Sequence, residues 1–269
     1  MKTKMYPNIA VSYGSGPKTR TKSVLFSLFF LLAGFLIAPL TMHANNKAVI
    51  NFNLKYGFIK GGEAHMIIKD TLYNGKKAIH YYMEGKTTGI TDKLFKVHDI
   101  YESIVDARTY LLYKAIRNIR ERTYRYYNEI YFYQDRDSLY SEKTGGMKVP
   151  SGISDILSVF FYFVQQNYIA TVEQGKPVVL PVINGDAIGD IRIKHTGIKT
   201  IDTDLGKVEC YHLSPEIEKG KVLKRSDGLS FYISRNNKIP VLLDIDLKVG
   251  TLQAVLTRYT LNGKEIRSF

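Results

Sequence analysis

The chain has 269 residues, 45% hydrophobic and 23% charged, with 20 Tyr, 13 Phe and no Trp. That balance supports a sizeable globular core and excludes a disordered chain. Cys210 is the only cysteine, so an intramolecular disulfide is excluded and stability has to come from packing. The formal charge of +13 overstates the body, because Lys2, Lys4, Lys18, Arg20 and Lys22 put five cations and no acid into residues 1–44. The remaining 33 basic and 25 acidic residues leave about +8, a mildly basic surface.

The first 44 residues read as a leader and signal peptide. Lys18-Thr-Arg-Thr-Lys22 is a basic stretch, Ser23 to Leu40 an apolar core, and Thr41-Met-His-Ala44 ends on a small residue, which places cleavage after Ala44. The apolar run is long for a signal, and an uncleaved anchor is the other reading. Either way the body is exported, to the periplasm or cell envelope. No cysteine ends the apolar core, so a lipid-anchored form is excluded. Residues 45–269 read as one β-rich domain, since no Pro-, Gly- or Ser-rich linker divides them.

Val49 to Ile59 alternates apolar residues at Ile50, Phe52, Leu54, Tyr56 and Phe58 with polar or small ones, the period of a half-buried strand. Lys60-Gly61-Gly62 reads as a hairpin turn, Glu63 to Leu72 as its partner strand, Asn74-Gly75 as a second turn and Lys77 to Thr88 as a third strand. This is an antiparallel meander. Gly89 to Val97 reads as a short helical turn capped by Thr91 or Asp92, and His98 to Asp106 as a strand. Thr109 to Ile119 and Arg120 to Tyr133 follow as long strands rich in Tyr, Arg and Ile. Leu139 to Lys143 is a short strand and Gly145-Gly146 a loop.

Ser154 to Gln166 is the one dominant helix candidate. From Ile156 to Val164 only Ser158 is polar, Ser154 and Asp155 suit a helix start, and Gln165, Gln166 and Asn167 close it. Its apolar residues point all round, as in a helix buried on every side; a strand is the alternative for so short a run. Val178 to Ile183, Asn184-Gly185 and Ala187 to Thr196 form a hairpin. Val208 to Leu213, Leu229 to Ser234, Val241 to Val249 and Thr251 to Thr260 are closing strands, with turns at 219–221 and 226–228. The fold class is mainly β: about a dozen antiparallel strands in a barrel or sandwich, wrapped around one buried apolar helix.

Chemistry is sparse. His65, His80, His98, His195 and His212 lack zinc-type spacing, no Gly-x-Ser-x-Gly elbow or phosphate loop occurs, and Cys210 reads as a buried thiol. Asp186, Asp190, Asp202 and Asp204 read as turn acids. No catalytic residue, cofactor or metal is therefore expected. The unusual patch is Arg117 to Tyr127. On one continuous strand Arg120, Arg122, Tyr124 and Tyr126 share a face that can grip an anionic or sugar-like ligand. A nucleic-acid platform is set aside because the body is exported.

Several motifs together resemble the family known as domain of unknown function 3108. They are Tyr56-Gly57-x-Ile59-x-x-Gly62, then Asp99-x-x-Glu102-Ser103-x-Val105-Asp106, then Ser154-Asp155-Ile156-Leu157-Ser158, and finally Ser234 with Asn236 and Ile239-Pro240-Val241. The resemblance implies an exported bacterial β protein, similar in fold to capsule-assembly lipoproteins but without their anchoring cysteine. It implies no catalytic residue. The functional expectation is non-enzymatic binding of a lipid or envelope glycan, with Phe160 and Phe161 of the helix and the Arg and Tyr face as ligand residues. The alternative is an adaptor that docks on an envelope complex or polysaccharide through that face.

Overall fold

The computed structural model describes residues 46–185, 187–216, 228–247 and 250–267. The leader, the cleavage site, Asp186 and the turns at 219–221 and 226–227 lie outside the described residues.

Eight strands form a first meander: β1 (Lys47–Tyr56), β2 (Ile59–Tyr73), β3 (Lys76–Thr87), β4 (His98–Asp106), β5 (Leu112–Glu121), β6 (Tyr124–Tyr133), β7 (Ser138–Ser141) and β8 (Gly145–Lys148). A short helix, α1 (Gly89–Leu94), joins β3 to β4. The second half opens with β9 (Ser154–Asp155), α2 (Ser158–Gln165) and α3 (Tyr168–Glu173). It continues as β10 (Val178–Asn184), β11 (Ala187–Thr203), β12 (Gly206–Glu216), β13 (Leu229–Ser234), β14 (Pro240–Leu247), β15 (Gly250–Leu261) and β16 (Lys264–Glu265).

All these strands belong to one sheet, ordered from β8 down to β1 and then from β15 down to β9, with β16 beside β15. The first strand of one meander pairs with a closing strand of the other, Phe52 opposite Leu256. The middle of the chain therefore supplies both ends of the sheet. The sheet is barrel-like but not closed: β9 adds in parallel to β10, and side chains rather than a ladder join it to the first meander. The Ser103 hydroxyl donates to Asp155 Oδ2 at 2.7 Å, Gln134 Nε2 to the Ile153 carbonyl at 3.1 Å, and Gln166 Nε2 to the Thr109 carbonyl at 3.1 Å.

Helix α2 stands between two cores. Leu157 and Phe161, one turn apart, enter a larger core that both meanders build, with Ile50, Tyr81, Val105 and Leu256. Val159 and Phe163, on another side, enter a second core with Ile169, Leu180, Ile193 and Ile233. This is why its sequence is apolar nearly all round. The Phe161 ring stacks on Tyr81 at 4.0 Å between centroids.

Five expectations are corrected. The helix begins at Ser158 rather than Ser154, because Ser154 and Asp155 pair with Val182 and Ile183 as strand β9. Asp155 still braces its start from outside the helix: Oδ1 accepts from the Ser158 amide at 2.7 Å, and Ser158 Oγ accepts from the Asp155 amide at 3.2 Å, a reciprocal pair like that of a capping box. The first hairpin turns at Gly57 and Phe58, with Tyr56 opposite Ile59, so Lys60 to Gly62 lies within β2. Gly57 takes φ 58° there, which glycine adopts without a steric penalty. A Cβ on Gly62 would come within 2.4 Å of the Lys86 carbonyl oxygen, so this glycine serves close strand approach. Finally, the Arg- and Tyr-rich stretch breaks at Arg122-Thr123 rather than running through, because Glu121 pairs with Tyr124. Gly145 and Gly146 join β8 instead of forming a loop, and the strands number sixteen among the described residues.

Candidate functional site

The hairpin between β5 and β6 decides where the predicted ligand residues point. Arg120 sits opposite Arg125 and Ile119 opposite Tyr126, so Arg120 and Tyr126 face opposite sides of the sheet. Arg122 lies in the turn at φ 47°, its guanidinium 5.6 Å from the Phe95 ring centroid. Tyr124, opposite Glu121, is 55% exposed. The four residues therefore do not assemble into one face. Phe161 is buried against Tyr81, and half-buried Phe160 meets it edge-on at 5.2 Å and approaches Phe231 at 5.6 Å. Both rings are packed against protein.

Of the six, Tyr126 alone lies in the feature that stands out. One row of the inner face runs Met83, Tyr101, Arg117, Asn128 across β3 to β6. The Arg117 guanidinium lies 5.5 Å from the ring centroids of both Tyr101 and Tyr126. Its Nη1 donates to Asn184 Oδ1 at 2.9 Å, across the open seam, and Gly185 at φ 65° brings the turn beside it. Its Nε is shut off from solvent and has no hydrogen-bond partner among the described residues. A buried donor left unmatched is costly and uncommon in native structures. Tyr101, Arg117, Tyr126, Asn128 and Asp155 line a cavity of about 30 Å³, room for one or two waters or a small anionic group.

Two acidic groups border this region. Asp155 is fully inside, and burial pushes its carboxyl up despite the Ser158 and Ser103 hydrogen bonds that oppose the shift. Glu121, four residues beyond Arg117 on the same side of β5, is also pushed up, first by burial and then by the Asp99 carboxyl with which it shares a hydrogen bond. Burial raises the Tyr101 hydroxyl, with Arg117 pulling the other way. The arrangement offers a fixed cation between two aromatic faces, which suits a carboxylate, phosphate or sulfate carried on a ring.

The sequence reading missed Arg117, Tyr101 and Asn184. A signal for Arg117 was there: it stands in phase with Ala115 and Ile119, both buried. Elsewhere the residues are quieter. His65 and His98 both meet Glu84, at 3.1 and 2.6 Å, and His80 meets Glu102 at 2.7 Å. Cys210 is fully buried, and burial pushes its thiol up to about 12. An open groove of about 480 Å³ along β1 and β2 mixes Lys60, Lys86 and Arg258 with Glu63 and Asp204.

Residues 51–257 match a family described as "Protein of unknown function (DUF3108)". None of the curated proteins matches the chain. Among solved structures, a beta-barrel-like protein of domain of unknown function DUF1849 from Brucella abortus is similar in fold. The TM-score is 0.52 at 10% identity, covering 81% of this chain and 97% of that one.

Proposed function

The chain belongs to the DUF3108 family, and from that premise we propose that it is an exported, non-catalytic binding protein which holds the acidic group of an envelope glycan at Arg117. What carries the reading is the buried, unmatched Nε of a guanidinium set between Tyr101 and Tyr126. A carboxylate accepts two parallel N–H bonds from an arginine, and a sugar ring lies well against tyrosine. The cavity of about 30 Å³ admits the charged group alone, so the rest of the ligand lies outside it. That size, with Tyr81 and Phe161 packed face to face in the adjoining core, argues against an acyl chain held inside. Export rests on the basic and apolar stretches before Ala44. Family and fold carry no indication of catalysis.

The test is calorimetric titration with D-glucuronate, with neutral glucose as control. Binding of glucuronate but not glucose is expected, and Arg117→Met should weaken it at least tenfold, a loss of about 1.4 kcal/mol or more. Arg117→Met also removes the hydrogen bond to Asn184 Oδ1, so the unfolding temperature is read beside the titration, and the loss of binding is scored on protein that is still folded at the titration temperature. Equal glucuronate binding by the variant, or none by the parent protein, sinks the reading.

A further inference from the structure

Antiparallel alternation carries three connections of the first meander to the same end of the sheet: the β1–β2 turn, the α1 segment and the β5–β6 turn. They form one continuous surface. The Thr88 amide donates to the Gly61 carbonyl at 3.0 Å, and α1 lies so close to β2 that a Cβ on Gly61 would stand 3.3 Å from Thr91 Oγ1. The Arg122 amide donates to the Lys96 carbonyl at 2.8 Å, and the Arg122 guanidinium covers the Phe95 ring.

This surface is apolar where nothing in the described fold rewards it. Phe58 is wholly exposed at the tip of its turn, and Ile59 follows at 67%. Helix α1 buries none of its residues. Ile90 and Leu94, four apart and so on one side of it, are 77% and 75% exposed. Single exposed apolar residues are ordinary, but a contiguous group marks an interaction surface. Around them stand Lys60, Lys86, Lys93, Lys96 and Arg122, all exposed. The nearby acids are drawn inward: Asp92 accepts from the Thr87 hydroxyl at 2.9 Å, and Glu121 and Asp99 share a hydrogen bond. Glu63 offsets Lys60 at 3.2 Å, and Asp204 shares the open groove with Lys60 and Lys86, which leaves Lys93, Lys96 and Arg122 as the cations nearest the apolar tips of α1 and the β5–β6 turn. The result is a set of apolar prongs on turns, ringed by cations.

We propose that this end docks on an anionic phospholipid bilayer, with Phe58, Ile59, Ile90 and Leu94 in the headgroup layer and the lysines against the phosphates. Prongs projecting from separate turns suit a soft surface that closes around them. Apolar tips flanked by lysine and arginine are the pattern that binds at a membrane interface without spanning it. The inference is independent of the glycan reading, because it rests on outward-facing turns and not on Arg117.

The full chain is the right material, and its apolar residues 23–40 require a readout local to this end. The sequence has no tryptophan, so F58W, L94W and L72W each carry one reporter. Leu72, 68% exposed, lies at the other end of β2. Each protein is mixed with vesicles of phosphatidylglycerol and phosphatidylcholine, with and without brominated chains. F58W and L94W should shift to the blue and be quenched by the brominated lipid, while L72W does neither. Adding K93E and K96E to F58W should weaken the response roughly tenfold, as should vesicles of phosphatidylcholine alone. No shift in F58W and L94W, or an equal shift in L72W, overturns the proposal. So does a shift that appears without vesicles and grows with protein concentration, which would assign this end to a second copy of the chain.

Discussion

On the outer face of the β5–β6 pair, Lys114 reaches Glu129 at 2.6 Å, and the hydroxyls of Tyr127 and Tyr131 donate to the same carboxylate. Three residues along β5, on the inner face, Arg117 has two tyrosine rings, the Tyr101 hydroxyl and one asparagine oxygen, and it lines a small cavity, but its buried Nε is left unmatched. Both cations sit on one strand among tyrosines, and both would read alike in a list of charged residues. The outer group is complete: every strong partner is supplied by the fold, and it behaves as a cross-strand cluster that fixes register. The inner group is incomplete in a place where incompleteness costs stability. On the proposed reading, that is the distinction between a charge the fold uses and a charge it holds for a ligand.

The largest effect would come from undermining the support of the inner face. Phe161→Ala removes the ring stacked on Tyr81 and opens a hole where α2 enters the first core. A loss of about 3–5 kcal/mol is expected, read as a fall in the urea midpoint. A loss below about 1 kcal/mol would show that α2 does not seat the sheet as described.

The outer cluster gives a smaller effect with a defined pH signature. Hydrogen bonds from Lys114, then from Tyr127 and Tyr131, hold the Glu129 carboxyl down at about 2 against an ordinary 4.5. The unfolded chain therefore takes up this proton first as pH falls. The stability contributed by the carboxylate is complete above pH 4.5 and disappears as pH drops towards 2. Glu129→Gln should cost about 1–2 kcal/mol near neutral pH, after allowance for solvent screening. It should also flatten the acid limb between those two pH values in denaturation series. An unchanged acid limb in the variant would remove Glu129 as its source.

The smallest effect separates exposed charge from both clusters. Arg120 and Arg125 stand directly opposite each other on the outer face, and both are exposed. Like charges in that position repel. Arg120→Ala should be neutral or stabilising by a few tenths of a kcal/mol, and glucuronate binding should not change. Lost binding would return the ligand to the face first read from the sequence.

Much of the architecture was readable because its signals are local. Alternation at Ile50, Phe52 and Leu54 announced β1, and Asn74-Gly75, both at positive φ, marked the β2–β3 turn. The buried helix showed in the run Val159 to Val164, though its start was misplaced, since Ser154 and Asp155 serve a strand and Asp155 only braces the helix start from outside. The candidate site was nearly illegible. Tyr126 was found, but Arg120 and Arg122, read beside it, are sent elsewhere by the turn at Arg122-Thr123. Strand periodicity does not say where a strand ends, and one misplaced turn changes which side chains share a face.

The sequence by itself determined the strand-rich class, the packing-only stability forced by a single cysteine, the apolar helix and the family. Those properties depend on composition and on residues close in the chain. Tertiary structure decided the rest: that β1 pairs with β15, that Ser103 meets Asp155, and that Arg117 meets Asn184, 67 positions away. Such contacts follow from how the sheet curls and where its open seam falls. The site is built at that seam, where ladder pairing stops and individual side chains have to bridge the gap.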